Sequence, residues 1–310
     1  MKHQTHTYSI VARDPESGQL GIGVQSHYFA CGAVVPWAER GVGAVATQAI
    51  ADTSYGRLGL ALMRAGKSAQ QALAALVIAD PESATRQVAM VDGKGSVAVH
   101  TGSRCVAHAG HVTGEGFSVQ GNLLASPKVW EAMAEAFKAA RGDLSERLMQ
   151  ALEAGEDAGG DARGKQSAAL IVVPAPDDPL ERDTITNLRV DDSDHPLVEL
   201  RRLLTIQRGY EWQAQAIHAV ERGDMEQARE YYGKLRGLVV GVREPHFWYA
   251  VALLERGYVD EALPILAEVF KVEPVWRDLL DRLAAAGLFP ANPELIAKVK
   301  AVAEEKHTTP

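Results

Sequence analysis

The chain has 310 residues, ordinary apolar and charged fractions of 46% and 23%, and a net charge of −8; it is a globular chain long enough for two domains. Acids and bases are mixed along it, so no basic patch marks nucleic acid or anionic lipid as a partner. Apolar runs such as Ala168 to Val173 are too short to span a bilayer, and Lys2, Arg13 and Asp14 stand where a secretory segment would be apolar, so a cytoplasmic location is expected.

In chain order, residues 7–13 (TYSIVAR) alternate as a strand, turn at Asp14-Pro15-Glu16-Ser17-Gly18, and return as a second strand from Leu20 to Ser26. Val42 to Gln48 predicts a third, buried strand. Two helices follow, Ser54 to Ala65 and Ser68 to Ala79, the second opened by the capping pair Ser68 and Gln71. Asp92-Gly93-Lys94-Gly95 is a hairpin turn between strands 87–91 and 96–101. Phe117 to Gln120 is a short strand that ends in Gly121-Asn122. Helices are expected at Pro127 to Ala140 and Leu144 to Glu153, then a glycine-rich loop from Gly159 to Gly164, a strand at Ser167 to Val173 and a last one at Leu188 to Val190. Hairpins and helix pairs in this order predict an α+β domain over residues 7–194, with antiparallel sheets sandwiched by paired helices. Cys31 and Cys105 are far apart and read as reduced thiols.

From His195 onwards no strand is predicted. Glu221-Arg222-Gly223 recurs thirty-four residues later as Glu255-Arg256-Gly257, with Ala216 and Ala228 matched by Ala250 and Ala262, Trp212 at an aromatic position and Pro274 at a closing one. A thirty-four-residue helical repeat with small residues at helix crossings resembles the tetratricopeptide repeat. Residues 195–305 are therefore expected to form an all-α domain able to carry a homodimer contact or a protein partner; a plain helical appendage is the alternative.

Four stretches, "YSIVARDPESGQLGIGVQSHYFACGAVVPWAERGVGAVATQA", "SYGRLGLALMRAG", "FSVQGNLLAS" and "GGDARGKQSAAL", together resemble the domain of unknown function 1028 family over roughly residues 7 to 200. That family is similar in fold to N-terminal-nucleophile (Ntn) hydrolases, which implies a four-layer αββα sandwich and an amidase or peptidase-like activity on a small amide or peptide, with no cofactor.

Carried onto this chain, the resemblance makes Thr7 the nucleophile. A free α-amine, of pKa about 8, serves as base to its own hydroxyl, which attacks an amide carbonyl and leaves an ester for water to open. Gly121 and Asn122 suit the oxyanion donors by residue type, a backbone N–H and a carboxamide, although a plain Gly-Asn turn is the alternative. Gln25 and His27 at the end of the second strand, Gln48 at the end of the third, and Arg13 are candidates to line the same pocket. So are Asp161 and Arg163, which could clamp a substrate's charged ends. Arg13 with Asp14 also reads as a turn ion pair, and Asp161 and Arg163 as a solvated loop. One departure stands out: six residues, MKHQTH, precede Thr7, and Lys2 is too large for ordinary methionine trimming. A free Thr7 amine needs cleavage between His6 and Thr7, or a start of translation nearer Thr7. If the leader stays, the competing expectation is an inactive αββα scaffold whose repeats recruit a partner. His108-x-x-His111 with Glu115 has metal-like residue types but lies in a glycine-rich loop, so no metal site is expected; nucleotide-loop and GxSxG patterns are absent.

Overall fold

The computed structural model describes residues 3–179, 183–238 and 241–302; residues 1–2 of the leader and 303–305 of the expected helical region lie outside these. The chain begins β1 (His3–Thr5), β2 (Thr7–Arg13), β3 (Leu20–Ser26), β4 (Pro36–Glu39), β5 (Gly43–Ala51), α1 (Ser54–Arg64) and α2 (Ala69–Ala79). It continues through β6 (Arg86–Asp92), β7 (Val97–Thr101), β8 (Gly110–Gly114), β9 (Phe117–Gly121), α3 (Lys128–Ala139), α4 (Leu144–Asp157), β10 (Ser167–Val173) and β11 (Thr186–Val190) to α5 (Pro196–Glu221). All pairings are antiparallel. One sheet runs β1-β5-β6-β7, with β4 also on β5, and the other β11-β10-β3-β2-β9-β8.

Local chemistry explains the turns. In the first hairpin the Asp14 carboxylate accepts from the backbone and hydroxyl of Ser17 at 3.0 and 2.5 Å, and Gly18 takes the positive φ of 70° that closes the turn. The Asp92 carboxylate accepts from the amides of Lys94 and Ser96 in its own turn and from Ala69 at the start of α2. The expected Ser68–Gln71 capping box is present.

The two sheets face each other across Val11, Leu20, Ile22, Val24, Ala44, Ala46, Ala89 and Val91. Alternation sends Val45, Val88 and Met90 to the opposite face of the first sheet, under α1 and α2. On the outer face of the second sheet, Gly21 and Gly23 leave room for Leu148 and Leu152 of α4. Helix pairs thus cover both outer faces. Three short strands, β1, β4 and β8, were not expected; β8 lies in the stretch read as a glycine-rich loop.

The chain divides into two compact units at Leu203/Leu204, inside α5, whereas the sequence places the break before His195. The first turns of α5 belong to the first unit because Leu197 and Leu200 are buried and Arg201 bridges Glu146 and Glu153 of α4 at 2.6 and 2.7 Å. The second unit adds α6 (Met225–Gly237), α7 (Glu244–Glu255), α8 (Val259–Val272), α9 (Val275–Asp278), α10 (Leu280–Ala285) and α11 (Pro293–Ala301). Its described residues form helices and the turns that join them, with no strand. Ala216, Ala228, Ala250 and Ala262 are all completely buried. Helix ends repeat at the same offset: Gly223 and Gly257 have φ of 79° and 82°, and Asp224 and Tyr258 donate back to Ala219 and Leu253. Among the described residues no helix is long and apolar enough to cross a membrane.

Gly56 on α1 lies against the Trp37 indole, so closely that a Cβ would overlap the ring, and Trp37 is tied by its Nε1 to the Val34 carbonyl at 2.9 Å. Helix propensity alone favours alanine there by about 1 kcal/mol, but overpacking a ring that cannot swing aside costs about 3 kcal/mol. Gly56→Ala is expected to lower Tm by roughly 4–8 °C; a rise in Tm on thermal unfolding would show that Trp37 yields.

Candidate active site

Thr7 opens β2, which lies inside the second sheet between β3 and β9 and pairs Thr7 with Ser26. The preceding strand β1 belongs to the other sheet, where it pairs with β5. His6 alone separates the two, so the backbone crosses between sheets at the His6–Thr7 peptide bond. Thr7 Oγ1 donates to Ser26 Oγ at 3.0 Å, and Ser26 Oγ donates to the His6 carbonyl at 2.7 Å. Arg163 Nη2 donates to the same carbonyl at 2.6 Å. The guanidinium is oriented by Asp161, with Nε on Oδ1 at 3.0 Å and Nη2 on Oδ2 at 2.7 Å. Asp161, its side chain fully buried, also accepts from the His27 amide at 3.1 Å. His6 Nδ1 meets Asn122 Oδ1 at 2.8 Å. A hydroxyl and a cation thus converge on one carbonyl, beside the hydroxyl of the next residue, and both polarise that carbonyl.

Behind Thr7 lies a buried chain of polar side chains from both sheets. Gln87 Nε2 donates to the carbonyls of Gly110 and Gly121 at 3.1 and 2.9 Å and to Thr101 Oγ1. Gln87 Oε1 accepts from Gln48 Nε2 at 2.8 Å and Asn122 Nδ2 at 2.9 Å. Gln48 Nε2 also reaches the Thr7 carbonyl at 3.3 Å, which the Asn122 amide holds at 3.1 Å. Gln48 Oε1 accepts from Ser9, which accepts from Gln120, which accepts from Ser118. These side chains fix the head of β2.

The structure brings Thr7, Asn122, Gln48, Asp161 and Arg163 together, with Gly121 beside them in the ladder and the exposed His27 at the rim. Roles differ from expectation in three respects. The Asn122 backbone N–H is on Thr7 O and its carboxamide nitrogen is on Gln87, while the donors on the His6 carbonyl are Ser26 and Arg163. Arg13 is at the opposite end of β2, roughly 20 Å of extended strand from Thr7, where its Nε holds the Gly93 carbonyl at 2.9 Å; Asp14 pairs with Arg147, not with Arg13. Gln25 neighbours Ser26 but alternates to the opposite face, under α4 with Tyr8, and its side-chain carboxamide has no hydrogen-bond partner among the described residues. Burial, together with the charges of Glu156 and Asp161, pushes the Tyr8 phenol well above its ordinary pKa, so it stays neutral. The network residues Ser9, Gln87, Ser118 and Gln120 were not anticipated, although polar residues at inward positions of apolar strands are a readable signal.

His108 and His111 do not converge. His108 Nδ1 lies 3.3 Å from the Leu124 carbonyl, and His111 Nδ1 lies 2.9 Å from Thr101 Oγ1; burial, and then His100, hold His111 below the usual imidazole pKa. No group of three or more His, Cys, Asp or Glu side chains among the described residues is arranged to hold a metal. The two cysteines are free, and burial pushes Cys31 up to about 12, so its thiolate is not formed at neutral pH.

The profile of DUF1028, a family of unknown function, matches residues 7–200. The chain belongs to the DUF1028 family. The DUF1028 match covers every residue of the site from Thr7 to Arg163. A DUF1028 crystal structure, that of protein SPO2555 from Silicibacter pomeroyi, is similar over 64% of this chain and 88% of its own, with 33% sequence identity and a TM-score of 0.59. No protein of curated function matches.

Gln87→Leu strips partners from Gln48, Asn122 and two carbonyls at once. Each buried polar group left unpaired costs about 1–3 kcal/mol, so the variant is expected to lose at least about 3 kcal/mol, read as a lower urea midpoint at unchanged slope. An unchanged midpoint would mean the network carries no stability.

Proposed function

We propose that this DUF1028 protein is an Ntn-type amidohydrolase whose nucleophile, Thr7, is released by cleavage of its own chain after His6. The observation that carries this reading is the double donation to the His6 carbonyl, from Ser26 at 2.7 Å and Arg163 at 2.6 Å, next to the Thr7 hydroxyl. Facing sheets between helix pairs support the Ntn comparison.

In the first stage Thr7 Oγ attacks the His6 carbonyl carbon. Ser26, which accepts from the attacking hydroxyl and donates to the carbonyl oxygen, passes the proton along, and it ends on the Thr7 nitrogen as the C–N bond breaks. The ester so formed is opened by water, giving a His6 carboxylate and a Thr7 with free amine and hydroxyl. In the mature protein that amine takes the proton of its own hydroxyl, which attacks the carbonyl of a substrate amide. Ser26 and Arg163 stabilise the oxyanion, the amine leaves with the proton, and water releases the acid. Asp161 orients Arg163, while Gln48, Gln87 and Asn122 hold the backbone of Thr7.

A second reading keeps residues 1–6 and makes the protein a scaffold. The matched buried alanines and helix ends of the second unit favour it; they suit tetratricopeptide-like repeats that recruit a partner or a second copy.

Intact-mass measurement separates the two. The hydrolase reading expects a chain starting at Thr7, full-length material for Thr7→Ala, and processing slowed about 100-fold by Arg163→Met. Native protein that keeps its first six residues indefinitely ends the hydrolase reading and leaves the scaffold.

A further inference from the structure

Residues 3–6, just before Thr7, are not a loose tail. His3, Gln4 and Thr5 pair antiparallel with Ala51, Ile50 and Ala49, on the edge of β5 that β4 serves further along, at Gly43 to Ala46. The opposite edge of β5 is taken by β6 over Gly43 to Ala49. Cleavage after His6 and loss of the segment therefore strip one edge of β5, at residues 49–51, of its strand partner. That edge leads directly to the donors on the His6 carbonyl.

We propose, building on the hydrolase reading, that this edge is the substrate subsite: the mature protein takes an extended peptide that adds to β5 as a strand, with its scissile carbonyl where the His6 carbonyl now sits. Strand addition to a free sheet edge is a general way to hold a peptide by its backbone. The substrate class is thereby narrowed from small amides to peptides with at least four residues on the acyl side, three to pair with β5 and one to carry the scissile carbonyl.

The same geometry reads the side chain that precedes the scissile bond. Gln87 Nε2 faces two backbone carbonyls, which only accept, so Gln87 Oε1 must be the acceptor for Gln48 and Asn122. Asn122 Nδ2 is thereby committed to Gln87, and Asn122 Oδ1 is turned to His6 as an acceptor. The pocket thus selects a hydrogen-bond donor, such as histidine, asparagine or glutamine, and rejects a carboxylate, which only accepts.

The test uses the full chain produced to begin at Thr7 and a fluorescein-labelled hexapeptide acid with the sequence of residues 1–6, followed by fluorescence anisotropy. Saturable binding is expected, with none to a Thr7→Ala chain that retains residues 1–6, because its own segment fills the edge. In an antiparallel pair only alternate amides face the partner strand. N-methylation of the peptide at its third, fourth and fifth residues should therefore alternate, weakening binding about tenfold at one parity and changing it little at the other. Replacing the last histidine by glutamate should weaken binding about tenfold, and by asparagine much less. Absence of saturable binding, or equal loss at all three methylated positions, overturns the proposal. In the methylation and histidine-replacement comparisons only the peptide is altered, so misfolding of the protein cannot mimic their outcomes. Hydrolysis of an N-acyl-histidine amide by the same preparation reports on the parent reading separately. Hydrolysis without peptide binding removes the strand subsite alone. Binding without hydrolysis upholds the subsite and removes the hydrolase.

Discussion

The site depends on a backbone that leaves one sheet and enters the other within a single residue. β1 pairs in the first sheet and β2 in the second, so the His6 carbonyl between them belongs to neither ladder. A carbonyl outside a ladder must find its donors elsewhere. Here they are side chains, Ser26 from the neighbouring strand and Arg163 from the loop before β10. A ladder would have given this oxygen an ordinary amide donor. The crossing gives it a hydroxyl, itself in contact with Thr7, and a charged guanidinium. The same topological fact makes this peptide bond electronically distinct from its neighbours and brings Thr7 to it.

That arrangement needs a rigid surround, and the space between the sheets supplies it by dividing into two halves. Towards the far end of β2 the facing positions are apolar: Val11, Leu20, Ile22, Ala44, Ala89. Around Thr7 they are Ser9, Ser26, Gln48, Gln87, Ser118, Gln120 and Asn122, all of them buried. Unpaired, such groups would be strongly destabilising; here donors and acceptors run in one direction from the Gly110 and Gly121 carbonyls to Ser118. Because each amide's orientation is dictated by the next, the network has one satisfied arrangement. That uniqueness fixes the head of β2 more sharply than an apolar core could.

How much of this was legible in the sequence follows from how local each signal is. The β2–β3 hairpin, the capped α2 and the β6–β7 turn were readable because Asp14, Ser68 and Asp92 act on residues two to five away. The edge strands β1, β4 and β8 were not: β1 takes its strand form from β5, remote in sequence, while β4 and β8, though in tight hairpins with β5 and β9, are only 4 and 5 residues long and carry little alternation of their own. The position of Thr7 at the head of β2 is readable from the alternation of residues 7–13, and that of Arg163 in a loop from the glycines around it. Arg13 was misplaced because composition does not say which end of a strand faces a site, and Gln25 because one step along a strand changes the face. The break within α5 was hidden because Arg201 meets Glu146 and Glu153 only in three dimensions.

The division of roles also bears on what survives once the segment before Thr7 is gone. Ser26 stays paired with Thr7 through the β2–β3 ladder, and Asp161 holds Arg163 through two side-chain contacts that do not involve His6. Asn122 keeps its bonds to Gln87 and to the Thr7 carbonyl. Among the described contacts, those to His6 and the pairing of β1 with β5 depend on that segment. Under the proposed hydrolase reading, the donors therefore need no rearrangement between acting on the chain's own carbonyl and acting on another, which is the condition for an oxyanion site to stabilise charge without reorganisation at the moment of reaction. A scaffold would gain nothing from such redundancy around one carbonyl, since a single ladder amide would hold the backbone as well.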